Sequence, residues 1–255
     1  MPRYALLIEY DGTAFHGWQR QPHAPSVQQA LEEAAAKLNG GVLPSAQAAG
    51  RTDAGVHAAG QVVEIEIARD MPPEKLRLAL DYHLRPAPVA VLAVAPAPEG
   101  WSARFSAIRR RYRYRILNRP GRAALAAGRV WHVPHPLDAA AMQRAALPLI
   151  GRHDFSAFRA ASCQAASALR TLDRLEVRRE GEEIVIEAEA RSFLHHQVRN
   201  MVGTLALVGL GRREESWPRA VLEARDRRLA GETAPAQGLC LMGVDYPPSL
   251  TPRWG

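Results

Sequence analysis

Arg51, Asp53 and His57 fall within seven residues of the string Ala49-Gly50-Arg51-Thr52-Asp53-Ala54-Gly55-Val56-His57-Ala58. The carboxylate is the group that could serve as base or nucleophile. An arginine two positions ahead could keep it ionised and oriented. Gly50 and Gly55 tolerate backbone angles that strain other residues, so the segment can turn tightly and admit a substrate close to its backbone. The same residues also fit a polar turn carrying a surface ion pair, and local chemistry leaves both readings open.

Three further segments carry chemistry. Ile108-Arg109-Arg110-Arg111-Tyr112-Arg113-Tyr114-Arg115-Ile116 has the period of a strand. Ile108, Arg110, Tyr112, Tyr114 and Ile116 then share one face, and the odd-numbered arginines share the other. Like charges along one face repel unless something anionic intervenes, either RNA phosphate or glutamates from adjacent strands. Tyr112 and the odd arginines cannot line the same wall in a regular strand. His195-His196-Gln197-Val198-Arg199-Asn200 places Arg199 four residues after His195, on one face near the start of an expected helix. A cation there opposes the helix dipole, which calls for a carboxylate partner unless it is solvated. Gly238-Leu239-Cys240-Leu241 opens a last strand. His132, His135, His195 and His196 lack a supporting acidic ligand pattern, so no metal centre is expected.

The elements that must position these residues follow from periodicity. Gly60 to Ile67 alternates as a strand, with Val63, Ile65 and Ile67 on one face and Glu64 and Glu66 on the other. Asp53 therefore precedes a strand, in a loop. Tyr4 to Tyr10 is a strand stopped by Asp11-Gly12. Phe15 to Pro22 mixes aromatics with Arg20, suited to stacking on RNA or to anchoring a loop. Ser26 and Gln29 form a capping box ahead of a helix whose stripe is Val27, Ala30, Leu31, Ala34 and Leu38. Further helices are expected from about Pro72 to Leu84, after a cap at Asp138, from about His195 to Val208, and from a cap at Ser216 through Arg228. His83 fits a tolerated or capping position. Val89 to Val94, Thr171 to Arg178 and Glu183 to Ala190 are strands, the last two forming a hairpin about Glu180-Gly181. The element order repeats, which predicts an α+β protein of two similar halves, 1–103 and 104–255.

At 255 residues and 47% hydrophobic content the chain can bury a substantial core. Its net charge is +7, and Lys37 and Lys75 are the only lysines. Guanidinium excess suits phosphate and base contacts, so nucleic acid is the natural partner; a GC-rich coding sequence would raise arginine as well. Cys163 and Cys240 make no disulfide framework or zinc knuckle. Nothing resembles a signal peptide or a membrane span, and a reduced cytoplasmic protein is expected.

The ten-residue loop followed by Gly60-Gln61-Val62-Val63 resembles the signature of the tRNA pseudouridine synthase I family (TruA). The resemblance continues through Tyr10-Asp11-Gly12-Thr13, Phe15-His16-Gly17-Trp18-Gln19-Arg20-Gln21, Ala103-Arg104-Phe105-Ser106-Ala107, Arg110-Arg111-Tyr112-Arg113-Tyr114, Asp154-Phe155, Phe193 to Gly203, and Gly238 to Leu241. It spans nearly the whole chain in order. It implies two pseudo-symmetric ferredoxin-like (RRM-like) halves, one mainly antiparallel sheet with helices packed on it, a positively charged cleft, and a homodimer. It implies a cofactor-independent enzyme that isomerises uridines 38, 39 and 40 in the anticodon stem-loop of tRNA. Asp53 would be the nucleophile, Arg199 its cationic partner, Tyr112 the ring against the base, Arg51 a holder of the flipped nucleotide, and Leu241 an apolar wall. Cys240 stands where the family commonly has Tyr. The alternatives are a non-catalytic Arg-rich RNA-binding protein and a synthase acting at another RNA position.

Overall fold

The computed structural model describes residues 2–254. Among the described residues the elements are, in order, β1 (Arg3–Tyr10), α1 (Val27–Ala36), β2 (Ala46–Ala48), β3 (His57–Glu66), α2 (Pro73–Leu84), β4 (Val89–Pro96), β5 (Arg109–Leu117), β6 (Trp131–His132), α3 (Ala139–Ala146), β7 (Gly151–Asp154), β8 (Leu169–Glu180), β9 (Glu183–Ala190), α4 (Gln197–Gly209), α5 (Trp217–Ala224) and β10 (Leu239–Asp245). The fold is mixed α+β with one large, mainly antiparallel sheet. Two compact units divide it: one holds the residues up to Arg110 and those from Leu241 onward, the other holds Arg111–Cys240. Strands β5 and β10 each carry residues of both units.

In the first unit the strand order is β4-β1-β3-β10, with β2 paired to β3. The predicted alternation in β3 is present: Val63, Ile65 and the following Ile67 are fully buried, Glu64 is half-buried and Glu66 exposed. Val62, on the other face, is also buried, because Trp101, Ala103, Ala107 and Tyr246 cover it together with Ala5 and Ala49. The central strand thus packs on both sides. Ser26 caps α1, its Oγ accepting from the Gln29 N–H at 3.2 Å. The Gln29 side chain turns instead to Glu33, so the expected capping box forms only on one side. His83 is exposed in the last turn of α2, edge-on to the Tyr82 ring.

In the second unit the order is β5-β9-β8-β7, with β6 parallel to β5. Strands β8 and β9 form the expected hairpin, closing with Glu180 opposite Glu183. Asp138 caps α3 by accepting from the Ala141 N–H at 2.9 Å. The expectation for Ser216 fails: it has helical dihedrals and makes no side-chain capping bond. Helix α5 ends before Arg225, which sits at φ 55°, so it does not run through Arg228. No helix among the described residues is long and apolar enough to cross a membrane.

The charged face of β5 draws its counter-ions from the next strand. Arg113 meets Glu187 at 2.8 Å and Arg115 meets Glu183 at 2.6 Å. Glu187 also receives Arg174 at 3.1 Å and Arg178 at 3.2 Å. Interleaved glutamates, one of the two readings of that pattern, therefore occupy these two arginines.

Candidate active site

Asp53 is half-buried and Arg51 exposed, in the loop between β2 and β3. Neighbouring backbone and side chains fix this loop almost residue by residue. The Ala49 N–H donates to the Val62 carbonyl at 2.8 Å, and Gln61 Nε2 donates to the Gly50 carbonyl at 2.7 Å. The Thr52 carbonyl accepts from the Trp18 N–H at 3.0 Å, while Thr52 Oγ1 lies 2.8 Å from the Tyr10 hydroxyl. Asp53 closes a turn through its own carbonyl, which accepts from the Val56 N–H at 3.1 Å. Gly55, at φ +77°, donates to the Phe15 carbonyl at 3.1 Å.

The 10–18 segment is the floor of this loop. A Cβ on Gly12 would lie 2.1 Å from the Val56 carbonyl oxygen, and one on Gly17 would lie 2.6 Å from that of Thr52. Only glycine allows such an approach. Phe15 and Trp18 are buried, and Arg20 donates to Glu32 at 2.9 Å. The aromatic-rich stretch therefore anchors the loop. His57 is buried, its Nδ1 3.1 Å from the Gly12 N–H and 3.2 Å from Asp11 Oδ1.

Arg110 was legible only as a member of an arginine run, and it proves to be structural. It is buried, and its guanidinium donates to the carbonyls of Ala49 at 2.6 Å, Arg104 at 2.7 Å and Ala107 at 3.2 Å. A buried guanidinium is stable only with its donors filled, so this one fixes the start of the Asp53 loop and the 103–107 loop together. Its even parity, on a face shared with aromatics and aliphatics, was the available signal.

In the second unit, Tyr112 is half-buried and stands edge-on to Phe193, ring centroids 5.2 Å apart. Tyr114, two residues along the same face, is fully buried and donates to the Pro235 carbonyl at 2.7 Å. Burial pushes its phenol well above the usual range, partly offset by the nearby Arg199 charge. Arg199 is half-buried in the first turn of α4, and its Nε donates to the Ala234 carbonyl at 2.8 Å. The segment 231–238 thus braces both residues. Gly203 makes this possible, since a Cβ there would lie 1.8 Å from the Glu232 carbonyl oxygen. Sequence reasoning missed this strap, which has no periodic pattern of its own.

His195 does not share a helix face with Arg199, because α4 begins at Gln197 and His196 caps it at φ 63°. The left-handed residue breaks the helical spacing between them. Leu241 is fully buried in β10, and Cys240 beside it is half-buried and in no disulfide. Arg51, Asp53 and Leu241 belong to the first unit, and Tyr112 and Arg199 to the second.

Comparison with known proteins bears on this arrangement. A family model described as tRNA pseudouridine synthase matches residues 6–106 and 145–247. The chain is 60% identical over 254 residues to tRNA pseudouridine synthase A of Acidiphilium cryptum (strain JF-5), covering 99% of this chain and 100% of that one. It is 59% identical over 247 residues to the protein of that name from Methylobacterium nodulans, covering 97% of each. With the protein of that name from Mesorhizobium japonicum it shares 54% over 249 residues, covering 97% of this chain and 100% of that one. The family-model match, which takes in the clamped aspartate loop and the start of α4, together with relatives aligned over nearly the whole chain, shows that the chain belongs to the tRNA pseudouridine synthase family.

Proposed function

We propose that this protein isomerises uridine to pseudouridine at positions 38, 39 and 40 of the tRNA anticodon stem-loop, with Asp53 as nucleophile. The observation that carries the reading is the Asp53 loop itself. A half-buried acid held by backbone bonds on both sides, over two glycines that permit no side chain, is a preorganised reactive group. In the reaction the N1–C1′ bond breaks, the base rotates, and C5 bonds to C1′. The proton on C5 leaves and N1 gains one, so no oxidant or reductant is consumed. No cofactor is required by that balance.

The remaining roles follow the family resemblance. Arg199, braced by the Ala234 carbonyl, acts as the cation that keeps Asp53 ionised. Tyr112, whose ring Phe193 supports from the side, bears on the uracil. Arg51 is exposed and suited to hold the flipped-out nucleotide by its phosphate. Leu241, fully covered, contributes packing beneath the site. A pair of ferredoxin-like halves, a basic RNA-binding surface and a homodimeric assembly belong to the same proposal.

Carbodiimide adduct mapping by primer extension tests it, using an unmodified tRNA transcript with wild-type protein and Asp53→Asn. New stops at 38 to 40 with wild type, unaffected by chelator and absent with Asp53→Asn, are expected. Tight binding by folded wild-type protein without modification would overturn catalysis and leave an RNA-binding module; stops elsewhere would move the target position.

A further inference from the structure

Phe105 is the exception among the phenylalanines. Phe15, Phe155 and Phe158 are buried and Phe193 packs on Tyr112, whereas Phe105 is 71% exposed. The exposure is not that of a loose loop. On its N-terminal side the Trp101 carbonyl accepts from Arg3 at 2.6 Å, and the Ala103 N–H donates to Glu64 at 3.1 Å. The Ala103 carbonyl accepts from the Tyr246 hydroxyl at 2.7 Å. On its C-terminal side the Ser106 N–H donates to the Ser102 carbonyl at 3.1 Å, and Ser106 Oγ accepts from the Ser102 N–H at 3.0 Å. Trp101, Ala103 and Ala107 are buried in the layer over β3. The backbone is held while the ring is presented to solvent.

Two further facts give the ring a direction of use. The Arg104 guanidinium carbon lies 5.4 Å from the Phe105 ring centroid, so a cation backs the aromatic surface. Arg110 donates to both the Arg104 and Ala49 carbonyls, so one buried side chain fixes this loop to the start of the Asp53 loop. An exposed, preorganised aromatic with an arginine beside it matches the chemistry that stacks an unpaired nucleobase.

We propose that Phe105, backed by Arg104, is a stacking platform for an unpaired base of the RNA near the uridine presented to Asp53. The proposal rests on the synthase reading for the identity of the ligand as RNA. It adds a substrate-positioning residue outside the set that performs the isomerisation. The platform acts in binding, so its loss falls on KM and Kd and spares kcat.

The test uses full-length protein and one unmodified tRNA transcript, measuring Kd, KM, kcat and thermal melting for Phe105→Ala, Phe105→Leu and Phe105→Trp. Roughly tenfold rises in Kd and KM are expected for Ala, on the scale of one lost base stack. Leu should fail nearly as badly, and Trp should restore wild-type values. Melting should be unchanged throughout, since the ring makes little of the core. Ala within twofold of wild type, Leu as good as Phe, or a loss confined to kcat would each overturn the platform. If wild type binds the transcript without modifying it, the synthase reading falls while the Kd comparison still decides the platform.

Discussion

A methyl group on Gly17 would sit 2.6 Å from the Thr52 carbonyl oxygen and 3.1 Å from the carbonyl carbon of Asp53, at a φ of +89°. The left-handed backbone costs an L-residue about 1–2 kcal/mol. Relief of the clash must move the backbone that carries the acid. Gly17→Ala is therefore expected to lower the melting temperature by a few degrees and the rate of tRNA modification by roughly a hundredfold, the scale of a ~1 Å misplacement. Initial rates beside a melting curve check this; a rate within twofold of wild type would show that the loop tolerates displacement. At this scale the sequence pointed to candidate residues and was silent about their supports. Asp53 announces itself by type and spacing, whereas Gly12, Gly17 and Arg110 act through contacts with residues about 35 to 60 positions away. The backbone distances that give them meaning exist only after folding.

At the scale of elements, propensity and packing disagree inside α4, and packing prevails. Gly203 is a mid-helix glycine that Ala would ordinarily improve by about 1 kcal/mol. Here the added Cβ meets the Glu232 carbonyl oxygen at 1.8 Å and the Ala234 N at 3.3 Å. The displaced strap carries the carbonyl that holds Arg199. Gly203→Ala is expected to destabilise the protein and to depress modification together, read by urea unfolding and by initial rate; a gain in stability would refute the strap's role. Elements with strong local signals were legible, as with the alternation of β3 and the caps Ser26 and Asp138. Ser216 misled because a serine ahead of an apolar stripe is only permissive: it lies in the helical region and its hydroxyl caps no amide.

For the molecule as a whole, two carboxyls held low by hydrogen bonds and arginines tie stability to acid pH. Ser156 hydrogen bonds, with the charges of Arg225 and Arg159, hold the Asp154 carboxyl below its ordinary value against some burial. Burial opposes the charge on Glu187, but hydrogen bonds from Arg113 and Arg178 outweigh it and hold its carboxyl low as well. A folded pKa below the unfolded one contributes stability that is complete above the unfolded value and lost as pH falls through the folded value. Stability should therefore be insensitive to these groups above about pH 5 and decline below about pH 4, given the usual carboxylate values. Urea midpoints from pH 3 to 7 measure this, and Glu187→Gln should shrink the acid-side loss; an unchanged slope would assign it elsewhere.

Strand β10 belongs for most of its length with the first unit, where its Met242 carbonyl closes on Gly60 of β3. Among the described strands it comes latest in the chain. Without it, part of one β3 edge lacks a hydrogen-bonding partner strand. Completion of the unit bearing Asp53 needs β10, joining segments some 180 positions apart. A chain cut short before Leu239 keeps the Asp53 loop but leaves its sheet one strand short.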